Sequence, residues 1–365
     1  MSRWVESSGE MMKILAICGL SDSQVLGYLA PLITLDEVEA IYLVRRHPID
    51  LPKVISCSPP KWMRKVLLMA ESYRFIKTIT LCLSKPIDVL YGIYFTPHGI
   101  YAAIAGGLFR KKVIQEIIGT DRPKVMRSRL FQWLLGQADA VGVRGQTSRS
   151  GLAAVGIPEG KMFLSNTVNA IDFERFKPMD LPKRYDLIYC GRMDANKQVE
   201  VLIRVAAGLR QQHPDVRMVL VGDGPERAAL EALAIRLGLE DHVTFTGNVP
   251  NQEIPILLNQ SRIFVMASAF EGLPVAMIEA VSCGLPVVVP DVGDIGDVAE
   301  DGVNARLLQD AGIEGFGDAI STLMSSQDDY QKLQAGSLRS RERFIALYSV
   351  EGVKEFWRKT LSMKN

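Results

Sequence analysis

Two carboxylates stand out in "AFEGLPVAMIEAVSCGLPVV", residues 269–288. Glu271 precedes the turn Gly272-Leu273-Pro274, and Glu279 falls eight positions later among Ala276, Met277, Ile278, Ala280 and Val281. Negative charge is welcome at the positive end of a helix dipole, which accounts for Glu271. It does not account for Glu279, because an acid in apolar company is usually paired or there to bind something. Proline suits a first helical turn, where the N–H it lacks would be unsatisfied. The N–H groups of Gly272, Leu273 and Val275 are then left to point at an anion. With Glu271 at the rim and Glu279 just over one turn into the helix, two acceptors of hydroxyl hydrogen bonds flank this cradle. Hydroxylated rings on both sides of a pyrophosphate match it, which describes a nucleotide sugar.

A second stretch, "CGRMDANKQVEVLI" (190–203), brings cations. Arg192 follows a strand and Lys197 comes near the start of the next helix, a placement that suits a diphosphate. Taken alone, the pair reads more readily as solvated surface charge; the diphosphate reading gains because the same sheet edge should also hold the opening motif. "VGDGPE" (221–226) has Gly222-x-Gly224 after a strand, but Arg227 stands where a dinucleotide fingerprint needs a third glycine. It reads as a tight strand-to-helix turn, and nicotinamide binding is not expected.

The elements that must position these residues follow from the apolar pattern. Strand-like and helical runs alternate throughout, which predicts parallel-sheet α/β architecture with ligands at the strand C-terminal ends. Strands are expected in "MKILAICG", which runs into a loop at Gly19, and in "VEAIYLV", "IDVLYGIYF", "KKVIQEIIG" and "ADAVGV". Helices are expected over 61–77 and 98–110. The polar segment from Pro178 to Lys183 reads as a linker, and the strand–helix pattern resumes at "YDLIYCGRMD" with a helix over about 197–211.

The chain has 365 residues and a net charge of +1, long enough for two domains. That near-zero total hides an asymmetry: residues 1–180 carry 23 basic against 16 acidic side chains, and 181–365 carry 19 against 25. Either the first half meets something anionic or the two halves attract each other. Five scattered cysteines without a Cys-x-x-Cys pair exclude a zinc motif and fit a reducing cytosol. No apolar run approaches the ~20 residues that span a bilayer, and no nucleic-acid-binding module pattern occurs.

From "YCGRMDANK" through "VGDGPERAALEALAIRLGL" and "VTFTGNVPNQEIP" to "EGLPVAMIEAVSCGLPVVVPDVG" and "VAEDGVNARLL", the second half resembles the donor domain of the family-four retaining glycosyltransferases. The Glu-x7-Glu of Glu271 and Glu279 is the most specific part. "ADAVGV…VGIPEGKMFLSNTVNAIDFERFKP" and the final "YSVEGVKEFWRK" resemble the family more loosely. The resemblance implies a GT-B fold. Two facing Rossmann-like doubly wound domains would form an acceptor domain over 1–180 and a donor domain over 181–345, with a helix over 346–365 crossing back. It implies a metal-independent, retaining hexosyl transfer with no cofactor, the substrate being a UDP- or GDP-sugar type of molecule. Arg192 and Lys197 would stabilise the leaving diphosphate, beside Gly19, Gly191 and Gly222. Glu279 would hold the ribose and Glu271 the sugar, while the backbone at Asn248 and Val249 would contact the base. The acceptor would be a glycan or lipid-linked, as in bacterial surface polysaccharide or glycolipid synthesis.

Two departures from the family pattern bear on catalysis. Ile118 precedes Gly119 where the family commonly has a histidine, and Gln198 follows Lys197 where it usually has glycine. Either His98, in "YFTPHGIYAA", supplies a polar group from a neighbouring loop, or the donor phosphate itself acts as base. A binding subunit with weak turnover and a nucleotide-sugar epimerase on the same fold are the rival readings. Finally, 59–86 and 122–135 are basic and aromatic-bearing. They are either ordinary core helices with a solvated face or segments that dock on an anionic inner leaflet, making a cytoplasmic protein peripheral to the membrane.

Overall fold

The computed structural model describes residues 11–117, 121–165 and 171–362. Ile118, Gly119 and Thr120, and residues 166–170 of the looser resemblance, lie outside them. The chain forms two compact units: Met1–Ala170 with Val350–Asn365, and Ile171–Ser349.

The first unit is built on seven strands, β1 (Met12–Ile17), β2 (Val38–Val44), β3 (Val54–Ser56), β4 (Val89–Ile93), β5 (Lys112–Glu116), β6 (Ala140–Val143) and β7 (Met162–Leu164). They pair in parallel in the order β3-β2-β1-β4-β5-β6-β7. The central strands read as continuous apolar runs because a parallel sheet is covered on both faces. Along β1, Ile14 and Ala16 enter one core and Leu15 and Ile17 the other, the period-2 alternation of a pleated strand. Helices Leu67–Ser84, Ile100–Phe109 and Arg129–Gly136 cover the Leu15 side. The helix predicted over 61–77 starts later, at Leu67, after a short 3-10 turn at Met63–Lys65. On the opposite side lie Asp22–Ile33 and the C-terminal helix Val350–Ser362, whose Val353, Trp357 and Leu361 are buried. Trp357 meets Tyr91 of β4 edge-on, with ring centroids 5.0 Å apart.

The second unit has β8 (Tyr185–Cys190), β9 (Met218–Val221), β10 (Val243–Gly247), β11 (Ser261–Val265), β12 (Val287–Pro290) and β13 (Ala305–Leu308). Their order is β10-β9-β8-β11-β12-β13, again all parallel. Strand order reverses between β8 and β11, the switch point where open α/β sheets place ligands. Helix Val199–Leu209 turns Val199, Leu202, Ile203, Ala206 and Leu209 into the core, as its 3.6-residue spacing predicts.

The unit begins ahead of the Pro178–Lys183 segment. Ile171, Phe173 and Phe176 are buried in the second core, and Ile171 N–H donates to Tyr348 O at 2.9 Å. The segment read as a linker is pinned as well, with Lys183 Nζ donating to the carbonyls of Asn259 and Ser261, both at 2.8 Å. At the far end helix Gln327–Tyr348 stays with this unit, and extended Ser349 separates it from the returning helix.

Candidate functional site

Every site residue expected in the second half lies at or just beyond the C-terminal edge of the second sheet. Gly191 and Arg192 follow β8, Gly222 follows β9, Asn248 and Val249 follow β10, and the 266–274 loop follows β11. Three connections stitch the loops together. Ala269 N–H donates to Asn196 O at 2.8 Å. Asn196 Nδ2 donates to Phe270 O at 3.0 Å, and Asp294 N–H to Glu271 O at 3.1 Å.

Glycines make this packing possible. A Cβ on Gly222, whose φ is +128°, would fall 2.0 Å from Gly191 O, and one on Gly224 would fall 2.1 Å from Met193 O. Gly293, in the loop after β12, has φ +60° and leaves no room for a Cβ against Glu271 O. The Gly-x-Gly of "VGDGPE" thus lets two strand ends close on each other. Gly222→Ala combines a positive φ with a backbone clash. It is expected to lower the unfolding midpoint and abolish protection by nucleotide, as read by thermal denaturation with and without ligand.

Between these loops lies a cavity of about 690 Å³, lined among others by Gly191, Arg192, Gly222, Asn248, Val249 and Ile254, within the usual range for a small-molecule site. Its lining also includes Cys190, Val221, Asp223 and Pro225, which the sequence reading passed over. They follow directly from strand ends already located, so the strand boundary itself was the available signal. Gly293 was available in the same way, as the first glycine after the apolar run of β12.

Lys197 and Glu271, expected as diphosphate cation and rim acceptor, are partners here. Lys197 Nζ stands 2.5 Å from Glu271 Oε1, and Glu271 is only 9% exposed. Glu271, expected at the rim, is therefore drawn inside, and Glu279 is part-buried on its helix. The reason is the 291–294 loop, which folds over the Glu271 backbone, while Asn196 anchors the loop carrying Lys197. Arg192 stays open, its side chain 70% exposed and 3.5 Å from Asp194. Its carbonyl accepts from the Tyr189 hydroxyl at 2.7 Å, and burial together with the negative Glu271 pushes that phenol up.

Glu279 sits on helix Val275–Ser282, for which Pro274 is the N-cap residue rather than the first helical position. The opening N–H groups of that helix have no intrahelical acceptor. Burial pushes the Glu279 carboxyl up to about 7, and its charge in turn helps burial raise the thiol of Cys190, which lines the cavity. The cavity, the cation pair and the Glu279 helix are thus neighbours around one strand edge. Gln198, where the resembled family usually has glycine, has φ +47° and ψ +40°, a left-handed conformation that glycine adopts without penalty.

In the first unit Gly19 and His98 meet: a Cβ on Gly19 would fall 2.6 Å from His98 Cε1. His98 lies in the kinked turn Phe95–Gly99 ahead of helix Ile100–Phe109 and is buried. Its Nε2 is 2.8 Å from Arg74 Nη1. Arginine only donates, so Nε2 accepts. Burial and then the Arg74 guanidinium push the imidazole down to about 3. Neutral and buried, the histidine offers a hydrogen bond rather than a proton near pH 7. Removing it leaves a cavity and takes one acceptor from Arg74, which keeps Glu71 and the Cys18 carbonyl, so His98→Ala should cost about 2–4 kcal/mol of stability, mostly from lost packing. Its nucleotide affinity should match wild type, which denaturant titration and calorimetry would show together.

All five cysteines are free and buried. Among the described residues no three of His, Cys, Asp and Glu gather into a group able to hold a metal ion.

Residues 171–338 match the family model described as Glycosyl transferases group 1. The second unit is a group 1 glycosyltransferase domain. Similar curated proteins include a phosphatidylinositol N-acetylglucosaminyltransferase chain of Arabidopsis thaliana, 29% identical over 216 residues that cover 58% of this chain and 44% of that protein. Another is the GDP-mannose-dependent alpha-(1-6)-phosphatidylinositol monomannoside mannosyltransferase of Mycolicibacterium smegmatis, 28% identical over 52% of this chain and 53% of that one. The chain thus spans about half the length of the curated relatives it matches. In fold, it superposes on HepE of Anabaena, solved with UDP and glucose, with a TM-score of 0.75 over 97% of this chain and 100% of that one at 20% identity. The chain as a whole has the GT-B fold, with one seven-stranded and one six-stranded parallel sheet.

Proposed function

We propose that this protein is a retaining glycosyltransferase that moves a hexosyl group from a nucleotide-diphosphate sugar to a glycan or lipid-linked acceptor. The observation that supports it most is the convergence, at one sheet edge, of Arg192, Lys197, Glu271 and the Val275 helix start beside a cavity sized for a nucleoside.

In this reading the base enters the cavity near Asn248 and Val249, and Glu279 accepts from the ribose hydroxyls. The diphosphate lies against Arg192, Lys197 and the Gly272–Val275 turn. As the anomeric bond to the diphosphate breaks, charge builds on the leaving oxygen, where cations and preorganised N–H groups lower the barrier without a divalent ion. Glu271, released from Lys197 when phosphate takes that ammonium, is free to accept from the sugar hydroxyls. Phosphatidylinositol figures in the names of the Arabidopsis and Mycolicibacterium relatives, which supports a lipid-linked acceptor, and surface polysaccharide or glycolipid synthesis in bacteria is the proposed setting. No described helix is long and apolar enough to cross a membrane, and the proposed place of the reaction is a cytoplasmic membrane face.

Incubating the protein with UDP- and GDP-sugars and a bacterial lipid extract in EDTA, then determining the product anomer by NMR, tests this reading. Donor consumption with retained configuration, lost in Glu271→Ala, is expected. A nucleotide-binding protein without turnover would consume no donor, and an epimerase would invert a ring carbon without releasing nucleoside diphosphate.

A further inference from the structure

The apolar surface of the protein is unevenly distributed. On the first unit, helices Leu67–Ser84, Ile100–Phe109 and Arg129–Gly136 pack side by side over the Leu15 face of the sheet. Phe75 and Tyr101 join the first two, with ring centroids 5.4 Å apart. Their inward residues fill the core, yet their outward faces are not polar. The first helix presents Leu68, Ile76 and Leu83, exposed by 77%, 60% and 70% and separated only by small hydroxyl residues on that stripe. The second presents Ile104 and Leu108, and the third Leu130 and Trp133.

Large apolar faces on a protein surface mark an interaction site, and the surrounding charge states which kind. Lys65, Lys85, Arg110 and Arg129 are exposed at the ends of these helices, and none pairs with a carboxylate among the described residues. The one acid within the three helices, Glu71, is engaged by Arg74 and by the Tyr101 hydroxyl. An apolar centre that carries a tryptophan, ringed by unpaired cations and free of outward acid, is complementary to an anionic lipid surface. Protein interfaces are depleted in lysine, whereas Lys65 and Lys85 edge this face.

We infer that this three-helix face is a peripheral docking surface for an anionic bilayer, in which Leu68, Leu83 and Trp133 insert at headgroup depth while the flanking lysines and arginines hold lipid phosphates. The inference deepens the acceptor side of the proposed function, but it uses no residue of the donor site.

Sedimentation of the full chain with phosphatidylcholine vesicles, with or without phosphatidylglycerol, tests it. Partition onto anionic vesicles that is weakened by high salt is expected. Lys65→Glu/Lys85→Glu/Arg129→Glu should lower that partition by at least about 100-fold. Leu68→Ser/Leu83→Ser/Trp133→Ser should abolish it, and both variants, changed only at exposed positions, should keep the wild-type melting temperature. Equal partition onto neutral and anionic vesicles, or wild-type partition in both variants, would overturn the inference. So would self-association abolished by the apolar variant, since that assigns the face to a second copy of the chain. A nucleotide thermal shift measured on the same samples separates the two readings: vesicle binding without any nucleotide response sinks the glycosyl-transfer reading and leaves the surface standing.

Discussion

Replacing Lys197 with alanine is expected to lower the rate of sugar transfer by about 10²–10³-fold, with a smaller change in donor affinity. The ammonium is placed to meet charge that develops on the departing diphosphate, and removing one such preorganised group typically costs about 3–4 kcal/mol of transition-state stabilisation. A confounding effect comes from its partner. Without Lys197, the nearly buried Glu271 is left without its counter-charge, and breaking such a pair from one side destabilises the fold. The double variant Lys197→Met/Glu271→Gln separates the two effects, since it leaves no unpaired charge. It should regain thermal stability and stay inactive. A double variant that recovered turnover along with stability would show that the pair only holds two loops together.

Glu279→Gln should strengthen the ligand-free protein while weakening its grip on nucleotide. The carboxyl is pushed up to about 7 by burial from an ordinary value near 4.5. Between those two pH values the folded state holds more protons than the unfolded one, so this residue makes stability fall as pH rises. Below about pH 4.5 the penalty is absent, and above pH 7 it is fully present, on the order of 3 kcal/mol. The stability gap between variant and wild type should therefore open across that window and level off at pH 8, as chemical denaturation at several pH values would show. Hydroxyl donors favour the ionised form, so nucleotide should bind wild type more tightly at pH 8 than at pH 5. In the variant that pH dependence should vanish, with affinity about 10–100-fold lower at pH 8. A gap independent of pH would mean that the carboxylate is solvated, and the ribose assignment would fall with it.

Such a residue, unfavourable for folding, is the kind that sequence reasoning can find. Glu279 was conspicuous because an acid among Met277, Ile278, Ala280 and Val281 contradicts its surroundings. The sheet edge was legible for a related reason: apolar runs end at Cys190-Gly191, Val221-Gly222 and Val265 before polar loops, and a parallel sheet gathers such ends on one side. What escaped depended on contacts that no local pattern encodes. Lys197 and Glu271 are far apart in sequence, and their ion pair exists only because β8 and β11 are neighbours. That His98 is buried and neutral escaped because Arg74, which helps keep its imidazole neutral, comes from another helix. The strands Val54–Ser56 and Met162–Leu164 are too short for a period of two to register. The unit boundary was missed because prolines signal a bend, whereas Phe173 and Phe176 decide which core the segment joins. The exposed leucines of the 67–84 helix read as core or membrane-facing from sequence; only the packed neighbours show which of them remain uncovered.

The claim on which the account turns is that a nucleoside diphosphate binds at the C-terminal edge of the second sheet. A thermal-shift panel of UDP, GDP, ADP and their sugar conjugates, without divalent metal, tests it most directly. A ligand at 100 times its Kd adds about 2.7 kcal/mol, which for a unit of this size raises the melting temperature by roughly 5–10 °C. The account predicts that shift for one base in wild type and its loss in Glu279→Ala. No shift with any nucleotide, or equal shifts in wild type and variant, would contradict it.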